Sequence, residues 1–479
     1  MGKIIVISLV FLFLMASCLI VTKPVSGSSA VENSWTEKAP VPSPQGDDQA
    51  AVVNGIIYLV GAIGHYDAAA NSYVVTSIHY AYNPSNDTWT TISPMPTPRV
   101  SFAIATCNNK IYVIGGHEAK PSDMPLSSVN EVYDPSTNSW STAAPMPTVR
   151  GVMRAETVNG KIYVMGGRTG GMYSTVNTTD IYDPVTDSWS TGASMPYSVN
   201  DYASAVVDNK IFVIGGYDEW ANFPYVQYTQ IYNPANDTWS LGSSIPTTAF
   251  SPGAGATTGF MAPKKIYVFG GMVGFAIGSN QTYAYDPTSN SWTSAAPMPT
   301  ARFGATAAVV NDIFYVIGGS GYNGNAVHGV AGVANNEQYT PVGYGTPDPS
   351  YMLEHAPPEI SLLSPLNQTY NDSSVPLVFT VNKLLAWASY SLDGQQNITI
   401  TGNGTLTNMT NGLHDVTVYA NDSFGNIGVS EPSNFTVALT PLKNSQPFPT
   451  VTVTAISGVA AVVVVGAGLL VYFKKRKRG

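Results

Sequence analysis

The sequence predicts an all-β protein made of a six-bladed β-propeller, a β-sandwich and one C-terminal transmembrane helix. Three observations lead to this fold class. A phrase with a period of about 50 residues recurs six times between residues 31 and 345, and such internal repeats indicate a propeller or solenoid. Residues 357–440 alternate short β-rich runs with Asn, Asp and Gly turns, as a sandwich does. Residues 451–473 carry no charge over a length that spans a bilayer.

The repeated phrase begins with an apolar strand that ends in two glycines. The strand has no polar alternation, which is typical of a strand covered on both faces by neighbouring sheets. Asp-Pro or Asn-Pro, a turn and a Trp follow it in the complete copies. The six copies read IIYLVGA (56–62), KIYVIGG (110–116), KIYVMGG (161–167), KIFVIGG (210–216), KIYVFGG (265–271) and IFYVIGG (313–319).

The tryptophans predict how the propeller closes. The last copy lacks a Trp after its turn, whereas Trp35 precedes the first copy. We therefore expect residues 34–42 to supply the outer strand of the sixth blade. Such a latch joins the two ends of the ring and removes an exposed sheet edge.

These motifs resemble the kelch family over residues 31–345. The resemblance implies a propeller, and it raises the question of enzymes within the family. The copper radical oxidases need a Cys crosslinked to a Tyr, but Cys107 occupies a slot that holds Val158 and Val207 in sister blades, so that chemistry is not expected. A sialic-acid mutarotase-like enzyme is an alternative, with Arg99, Arg150 and Arg302 acting together with Glu118 or Glu156.

The whole chain has 479 residues, a net charge of −9 and 11% charged residues. No domain is basic, so a nucleic-acid partner is not expected. The two cysteines are Cys18 and Cys107, and Cys18 lies within a predicted signal peptide. The mature protein would therefore form no intrachain disulfide.

The remaining segments predict a single-pass surface protein. Residues 1–30 are read as a signal peptide cleaved near 26–30, with a lipoprotein signal at Cys18 as the alternative. Five basic residues follow the apolar helix, which would leave the N-terminus outside and the C-terminus in the cytoplasm, at the cell membrane. The predicted organisation is signal peptide 1–30, propeller 31–340, linker 341–356, sandwich 357–440, juxtamembrane linker 441–450, transmembrane helix 451–473 and basic tail 474–479.

The sandwich resembles Ig-like or fibronectin-like modules. It lacks the Cys pair of antibody domains, and Trp387 is expected in its core. Asn-x-Ser/Thr sequons concentrate in this part of the chain, which favours a glycan-coated stalk. The candidate glycosylation sites are Asn86, Asn177, Asn236, Asn280, Asn367, Asn371, Asn397, Asn403, Asn408, Asn421 and Asn434.

The ligand-binding candidates lie where two sets of segments should meet. In an up-and-down blade, the loops after Gly-Gly emerge on the same face as the segments that join one blade to the next. Loops on a rigid scaffold often carry recognition residues. The joining segments contribute Arg99, Arg150 and Arg302, and the loops contribute His65, His117, Arg168, Tyr217, Asp218, Trp220 and Tyr322. The arginines could bind a carboxylate or, alternatively, satisfy backbone carbonyls between blades. No catalytic residue, metal site or cofactor is predicted.

These features favour a non-enzymatic binding or adhesion module on the cell surface. Its ligand would be an extracellular glycan or a surface protein, bound on the face with the post-Gly-Gly loops. Two alternatives stay open: the mutarotase-like enzyme and a purely structural envelope glycoprotein.

Overall fold

The computed structural model describes residues 31–440, except 44–48, 62, 68–71, 76–77, 119–124, 171–173, 220, 222–224, 274–276, 322–331 and 423–424. Two compact units divide between His355 and Ala356. The predicted signal peptide, juxtamembrane linker, transmembrane helix and basic tail lie outside the described residues.

Six four-stranded antiparallel sheets make up the first unit in the described residues. The N-terminal strand is β1 (Ser34–Glu37). Blade one contains β2 (Gln49–Val53), β3 (Ile56–Val60), β6 (His79–Asn83) and β7 (Thr88–Ile92), with β4 (Ile63–Asp67) and β5 (Ser72–Val75) forming a separate ribbon. Blade two contains β9 (Ala103–Cys107), β10 (Lys110–Ile114), β12 (Asn130–Asp134) and β13 (Ser139–Ala143), and β8 (Arg99–Val100) pairs with β11 (His117–Glu118) beside it.

The other blades repeat this plan. Blade three contains β14 (Arg154–Val158), β15 (Lys161–Met165), β16 (Thr179–Asp183) and β17 (Ser188–Gly192), and blade four contains β18 (Ala203–Val207), β19 (Lys210–Ile214), β20 (Thr229–Asn233) and β21 (Thr238–Gly242). Blade five contains β22 (Gly253–Ala256), β23 (Ile266–Phe269), β26 (Thr282–Asp286) and β27 (Ser291–Ala295), with the short pair β24 (Met272–Val273) and β25 (Ile277–Gly278). Blade six contains β28 (Thr306–Val310), β29 (Ile313–Ile317), β30 (Asn336–Thr340) and β1.

The ring closes through the N-terminal latch that the tryptophan pattern predicts. Strand β1 pairs antiparallel with β30, placing Trp35 opposite Tyr339. The indole of Trp35 donates a hydrogen bond to the carbonyl of Ala296 in blade five, at 2.9 Å. The innermost strands contact one another in sequence, and β28 contacts β2. Strand β1 therefore completes blade six.

Apolar packing between neighbouring sheets builds the core of the propeller. The second strand of each blade buries nearly every residue, as its uninterrupted apolar sequence predicts. Each outer-strand Trp is partly buried, and its indole donates to a carbonyl of the preceding blade, as Trp140 does to Ser93 at 2.9 Å. The tryptophans thus fill the gaps between neighbouring sheets and link those sheets by hydrogen bonds.

The second unit is a sandwich of two sheets around one hydrophobic core. Its strands are β31 (Ile360–Ser364), β32 (Thr369–Tyr370), β33 (Val375–Val381), β34 (Leu385–Leu392), β35 (Ile398–Ile400), β36 (Gly404–Leu406), β37 (Gly412–Asp422), β38 (Ile427–Val429) and β39 (Ser433–Val437). One sheet has the order β31-β33-β36, and the other has β32-β39-β37-β34-β35 with β38 beside β37. Residues such as Phe379 and Val416 meet between the sheets.

The predicted core position of Trp387 is wrong. Its side chain is 39% exposed, because the pairing of β34 with β37 shifts register between Leu385 and Trp387. The shift turns Ala388, rather than the Trp, into the core.

The transmembrane element of the predicted fold class is not supported. The helix in the described residues is α1 (Pro349–His355), seven residues within the predicted linker 341–356. At 1.5 Å per residue such a helix is about 10 Å long, against a hydrocarbon core of about 30 Å. Across the described ranges, no helix is long and apolar enough to cross a membrane. The predicted single-pass membrane localisation depended on this helix at residues 451–473, and it is therefore not supported either.

Candidate functional site: one propeller face and the central channel

One face of the propeller gathers the loops after Gly-Gly and the segments that join the blades. We call it the Gly–Gly face. Strand β8 pairs with β11, and isolated bridges such as Asn200 with Tyr217 repeat this contact in later blades. Gly116 makes the close approach possible: its φ is +91°, and a Cβ there would lie 2.6 Å from the Val100 carbonyl oxygen.

The three candidate arginines of the blade-joining segments are fully buried inside their blades. Arg99 donates hydrogen bonds to the carbonyls of Gly115 at 2.7 Å and Val129 at 2.8 Å, and it forms an ion pair with Glu131 at 2.7 Å. Burial lowers the pKa of Arg99, and the Glu131 carboxylate opposes that shift. This arrangement matches the alternative in which arginine satisfies backbone carbonyls.

The other two arginines repeat the arrangement. Arg150 pairs with Asp180 at 2.7 Å, and Arg302 pairs with Glu337 at 2.9 Å. Burial raises the pKa of Asp180 while Arg150 opposes the rise, so desolvation offsets part of the attraction. All three arginines have zero exposed surface. In this conformation no ligand reaches their guanidinium groups.

The remaining candidates fall into two groups. His117, Arg168, Tyr217 and Asp218 lie on the Gly–Gly face in described segments. Arg168 pairs with Glu219 at 2.8 Å, and the buried Asp218 accepts a hydrogen bond from Ser198 at 3.3 Å. Trp220, Tyr322 and the side chain of His65 lie outside the described residues.

Three half-buried aromatic rings form an aromatic cluster on the Gly–Gly face. Tyr217, Tyr225 and Phe250 pack edge to face, with ring centroids 5.5 to 5.9 Å apart. On the same face Tyr197 and Tyr228 stack at 4.2 Å, and Tyr197 is 38% exposed. The sequence analysis selected only Tyr217 of these five. The other four stand at positions whose residue type changes from blade to blade, so the repeat does not mark them.

The central channel is the second candidate region. A cavity of about 370 Å³ is lined by the six innermost strands, mostly by Ala, Gly, Val and Thr. Arg154 and Glu156 are the charged side chains in this lining. Glu156 accepts a hydrogen bond from Ser204 at 2.6 Å. Burial raises the pKa of Glu156 to about 7, against the opposing effects of Ser204 and Arg154. Sequence reasoning missed Arg154 altogether.

In the described part of the chain, no three His, Cys, Asp or Glu side chains gather as a metal site. Cys107 is a buried free thiol in the packing between blades two and three.

The predicted glycosylation sites differ in accessibility. Asn177, Asn280 and Asn421 are partly buried, and the amide of Asn177 donates to the Met195 carbonyl at 2.9 Å. The other eight are exposed: Asn86, Asn236, Asn367, Asn371, Asn397, Asn403, Asn408 and Asn434. Their modification stays a prediction.

Comparisons with known proteins agree with the propeller. Residues 111–339 match the family model described as the Attractin/LZTR1 beta-propeller. Kelch repeat and BTB domain-containing protein 12 of Homo sapiens is 36% identical over 110 residues, which are 22% of this chain and 18% of that protein. Kelch-like protein terF of Aspergillus terreus is 34% identical over 127 residues, 26% of this chain and 27% of that protein. The chain thus spans about a quarter or less of these relatives' lengths.

A solved structure supports the fold alone. The "Structure of YjhT" superposes with a TM-score of 0.53 at 16% identity, covering 62% of this chain and 95% of that chain. The six blades arranged in a ring define a six-bladed β-propeller. The family-model match and the kelch relatives support the kelch-repeat β-propeller family for this chain.

Proposed function

We propose that the propeller is a non-enzymatic binding module that recognises a protein partner through the aromatic cluster. The single observation that carries this proposal is the set of three half-buried rings, Tyr217, Tyr225 and Phe250, held edge to face on the Gly–Gly face. Aromatic side chains are enriched at protein interfaces because a rigid ring buries much surface at little entropic cost.

The position of the cluster supports this role. Its rings come from the loop of blade four and from the segment that leads into blade five, and bridges between these segments hold the backbone. Phe250 is bridged to Met272, and Tyr217 is bridged to both Asn200 and Tyr225. A partner would therefore meet rings that are already ordered, which lowers the cost of binding.

The test uses the full chain and a double variant. We expect the immobilised protein to capture a specific partner from native extract of the source cells, and the purified partner to bind in a direct titration. Tyr217→Ala/Phe250→Ala should weaken that binding by about 30-fold or more, since two hot-spot rings contribute at least about 2 kcal/mol.

Phe260→Ala is the matched control. Phe260 is 47% exposed and lies in the loop between β22 and β23, at the opposite end of blade five. It should leave the partner affinity unchanged. Equal affinity for the double variant and the wild type, with both folded, would refute the proposed surface.

A glycan is the second candidate ligand. If sugars on an array bind the wild type and this binding disappears in the same double variant, the ligand of the aromatic cluster is a glycan instead of a protein. Turnover of an aldose anomer would instead favour the mutarotase-like alternative, and a complete lack of ligands would favour a structural role.

We also propose that the second unit is an Ig-like module. Its two sheets pack around one core, and the parallel pairing of β32 with β39 accompanies the antiparallel order β39-β37-β34-β35. Ig-type sandwiches divide their strands between two sheets in a similar way. An experimental structure with another strand order would overturn this proposal.

A further inference from the structure

One arginine in the propeller lacks the acidic partner that its counterparts have. Arg99, Arg150 and Arg302 each form a buried ion pair, and Arg168 pairs with Glu219. Within the described segments, Arg154 forms no ion pair. A guanidinium group stays protonated under all ordinary conditions, so Arg154 brings a positive charge into a channel lining whose other charged side chain is Glu156.

The hydrogen bonds of Arg154 hold its guanidinium in place without using all of its donors. Nε donates to the carbonyl of Tyr202 at 3.3 Å, and Nη1 donates to Oε1 of Gln49 on the first blade. Nη2 makes no hydrogen bond with the residues that the structure describes. A fixed guanidinium with an available donor is a common way to bind a carboxylate.

The channel gives this arginine a confined setting. The cavity has about 370 Å³, within the range of sites for small ligands or inserted side chains. Its walls are small residues, such as Ala50, Ala105 and Gly255, which leave room near the axis. Electrostatic attraction is stronger in such a confined site than in open water.

The other charged group of the lining sits beside the arginine. Glu156 lies two residues after Arg154 on β14 and accepts a hydrogen bond from Ser204 at 2.6 Å. Its pKa of about 7 means that it is largely neutral in mildly acidic solution and ionised in mildly basic solution. Arg154 on its own strand and Ser204 and Tyr202 on or beside β18 face it, and Asp201 lines a small adjoining cavity with Arg154.

We propose that the central channel binds a carboxylate ligand, held by Arg154 and Gln49, with Glu156 next to the bound group. The carboxylate belongs either to a small organic acid or to an acidic side chain of a bound peptide. This site lies among the innermost strands and shares no residue with the aromatic cluster, so the two proposals succeed or fail independently.

The position of Glu156 makes the site sensitive to pH. Below pH 7 a protonated Glu156 can donate a hydrogen bond to the ligand. Above pH 7 its negative charge repels the ligand's carboxylate. We therefore expect affinity to fall as the pH rises from 6 to 8, by roughly tenfold, since neighbouring like charges shift binding by about one pKa unit or more.

The experiment is isothermal titration calorimetry on the full chain at pH 6. The probes are succinate against succinamide, and a short Glu-containing, C-terminally amidated peptide against its Gln counterpart. We expect succinate or the Glu peptide to bind, and we expect its neutral counterpart, succinamide or the Gln peptide, not to bind. Binding of succinate identifies the small-acid source, and binding of only the Glu peptide identifies the side-chain source.

Two variants decide the role of Arg154. Arg154→Met should weaken binding at least about tenfold, as loss of a charge-assisted hydrogen bond predicts. Lys161→Met changes the net charge equally at an exposed site outside the channel and should leave the affinity unchanged. Thermal melting checks that both variants are folded.

Glu156→Gln keeps the proposal testable should Arg154→Met fail to fold. It should retain binding at pH 6 and lose the decline between pH 6 and pH 8. The proposal is overturned if no acidic probe binds the wild type, if Arg154→Met binds as tightly as the wild type, or if Glu156→Gln keeps the full pH dependence.

Discussion

Replacing Arg99 with Met should destabilise the propeller far more than removing an exposed lysine. The guanidinium of Arg99 makes five hydrogen bonds to oxygen, four to backbone carbonyls and one to Glu131. Met has a similar apolar stem and no donors. The substitution therefore leaves the Glu131 carboxylate buried without its cation, and three blade-two carbonyls lose a donor.

The magnitude follows from the burial of the pair. The side chains of Arg99 and Glu131 are 0% and 4% exposed, and removing one partner of a buried pair costs about 3–5 kcal/mol. Lys110→Met is the matched control, because Lys110 pairs with Asp134 at 3.3 Å on the surface and is 46% exposed. Such a pair contributes about 0–1 kcal/mol. Arg99→Met/Glu131→Gln should recover part of the loss, since it removes the isolated charge.

Urea unfolding of the full chain measures the effect. Of the eight tryptophans only Trp387 lies outside the propeller, so intrinsic fluorescence follows mainly that unit. We expect a clear fall in the midpoint for Arg99→Met, a small change for Lys110→Met and an intermediate value for the double variant. Equal midpoints for the two single variants would refute the view that these arginines are structural.

Three further predictions concern other parts of the molecule. Trp35→Ala removes the contacts with Phe269 and Tyr339 that hold the latch, and should cost about 3–5 kcal/mol in the same urea assay; an unchanged midpoint would show that the latch is dispensable. Asp312→Ala removes a buried carboxylate that accepts four hydrogen bonds from residues 258–262, and hydrogen exchange in that loop should accelerate, which a rate equal to the wild type's would contradict. The pKa of Glu156 is raised from 4.5 to about 7 on folding, so its stabilising contribution, up to about 3 kcal/mol, is present below pH 4.5 and lost as the pH rises through 7. Glu156→Gln should therefore be more stable than the wild type at pH 8. Thermal melting at pH 5 and pH 8 measures this, and a lower melting temperature for the variant than for the wild type at pH 8 would contradict the prediction.

The repeat made the propeller predictable because each feature that recurs from blade to blade has a local physical cause. Apolar second strands, glycines that allow close approach and tryptophans between sheets all follow from the packing of one blade on the next. The latch followed from a simple mismatch, an early Trp35 and a last copy without one. The helix α1 and the bulge that exposes Trp387 carry no comparable pattern, because tertiary contacts decide them.

The burial of the three arginines could also have been found in the sequence. In three blades an Arg stands four residues after the Met of the blade-joining segment. The third strand of each of these blades carries an acidic residue, which is Glu131, Asp180 or Glu337. The blades with Val199 or Ala249 at that position carry Gln230 or Tyr283 instead. Arginine and acid thus vary together from blade to blade, as members of a buried pair should.

The same comparison between blades separates scaffold from site. Arg154 pairs with Met165 as Ala103 pairs with Ile114 and Ala203 pairs with Ile214, so it occupies a slot that four sister blades fill with small residues and blade one fills with Gln49. A residue that recurs in every blade satisfies a need that every blade has, which is packing or hydrogen bonding within the ring. Arg154 breaks the repeat in the channel lining: it makes hydrogen bonds to Tyr202 and Gln49 within the ring, but its charge costs desolvation that the small residues of most sister blades do not. Arg154, which forms no ion pair within the described residues, is therefore the position where a bound carboxylate would supply what the fold does not.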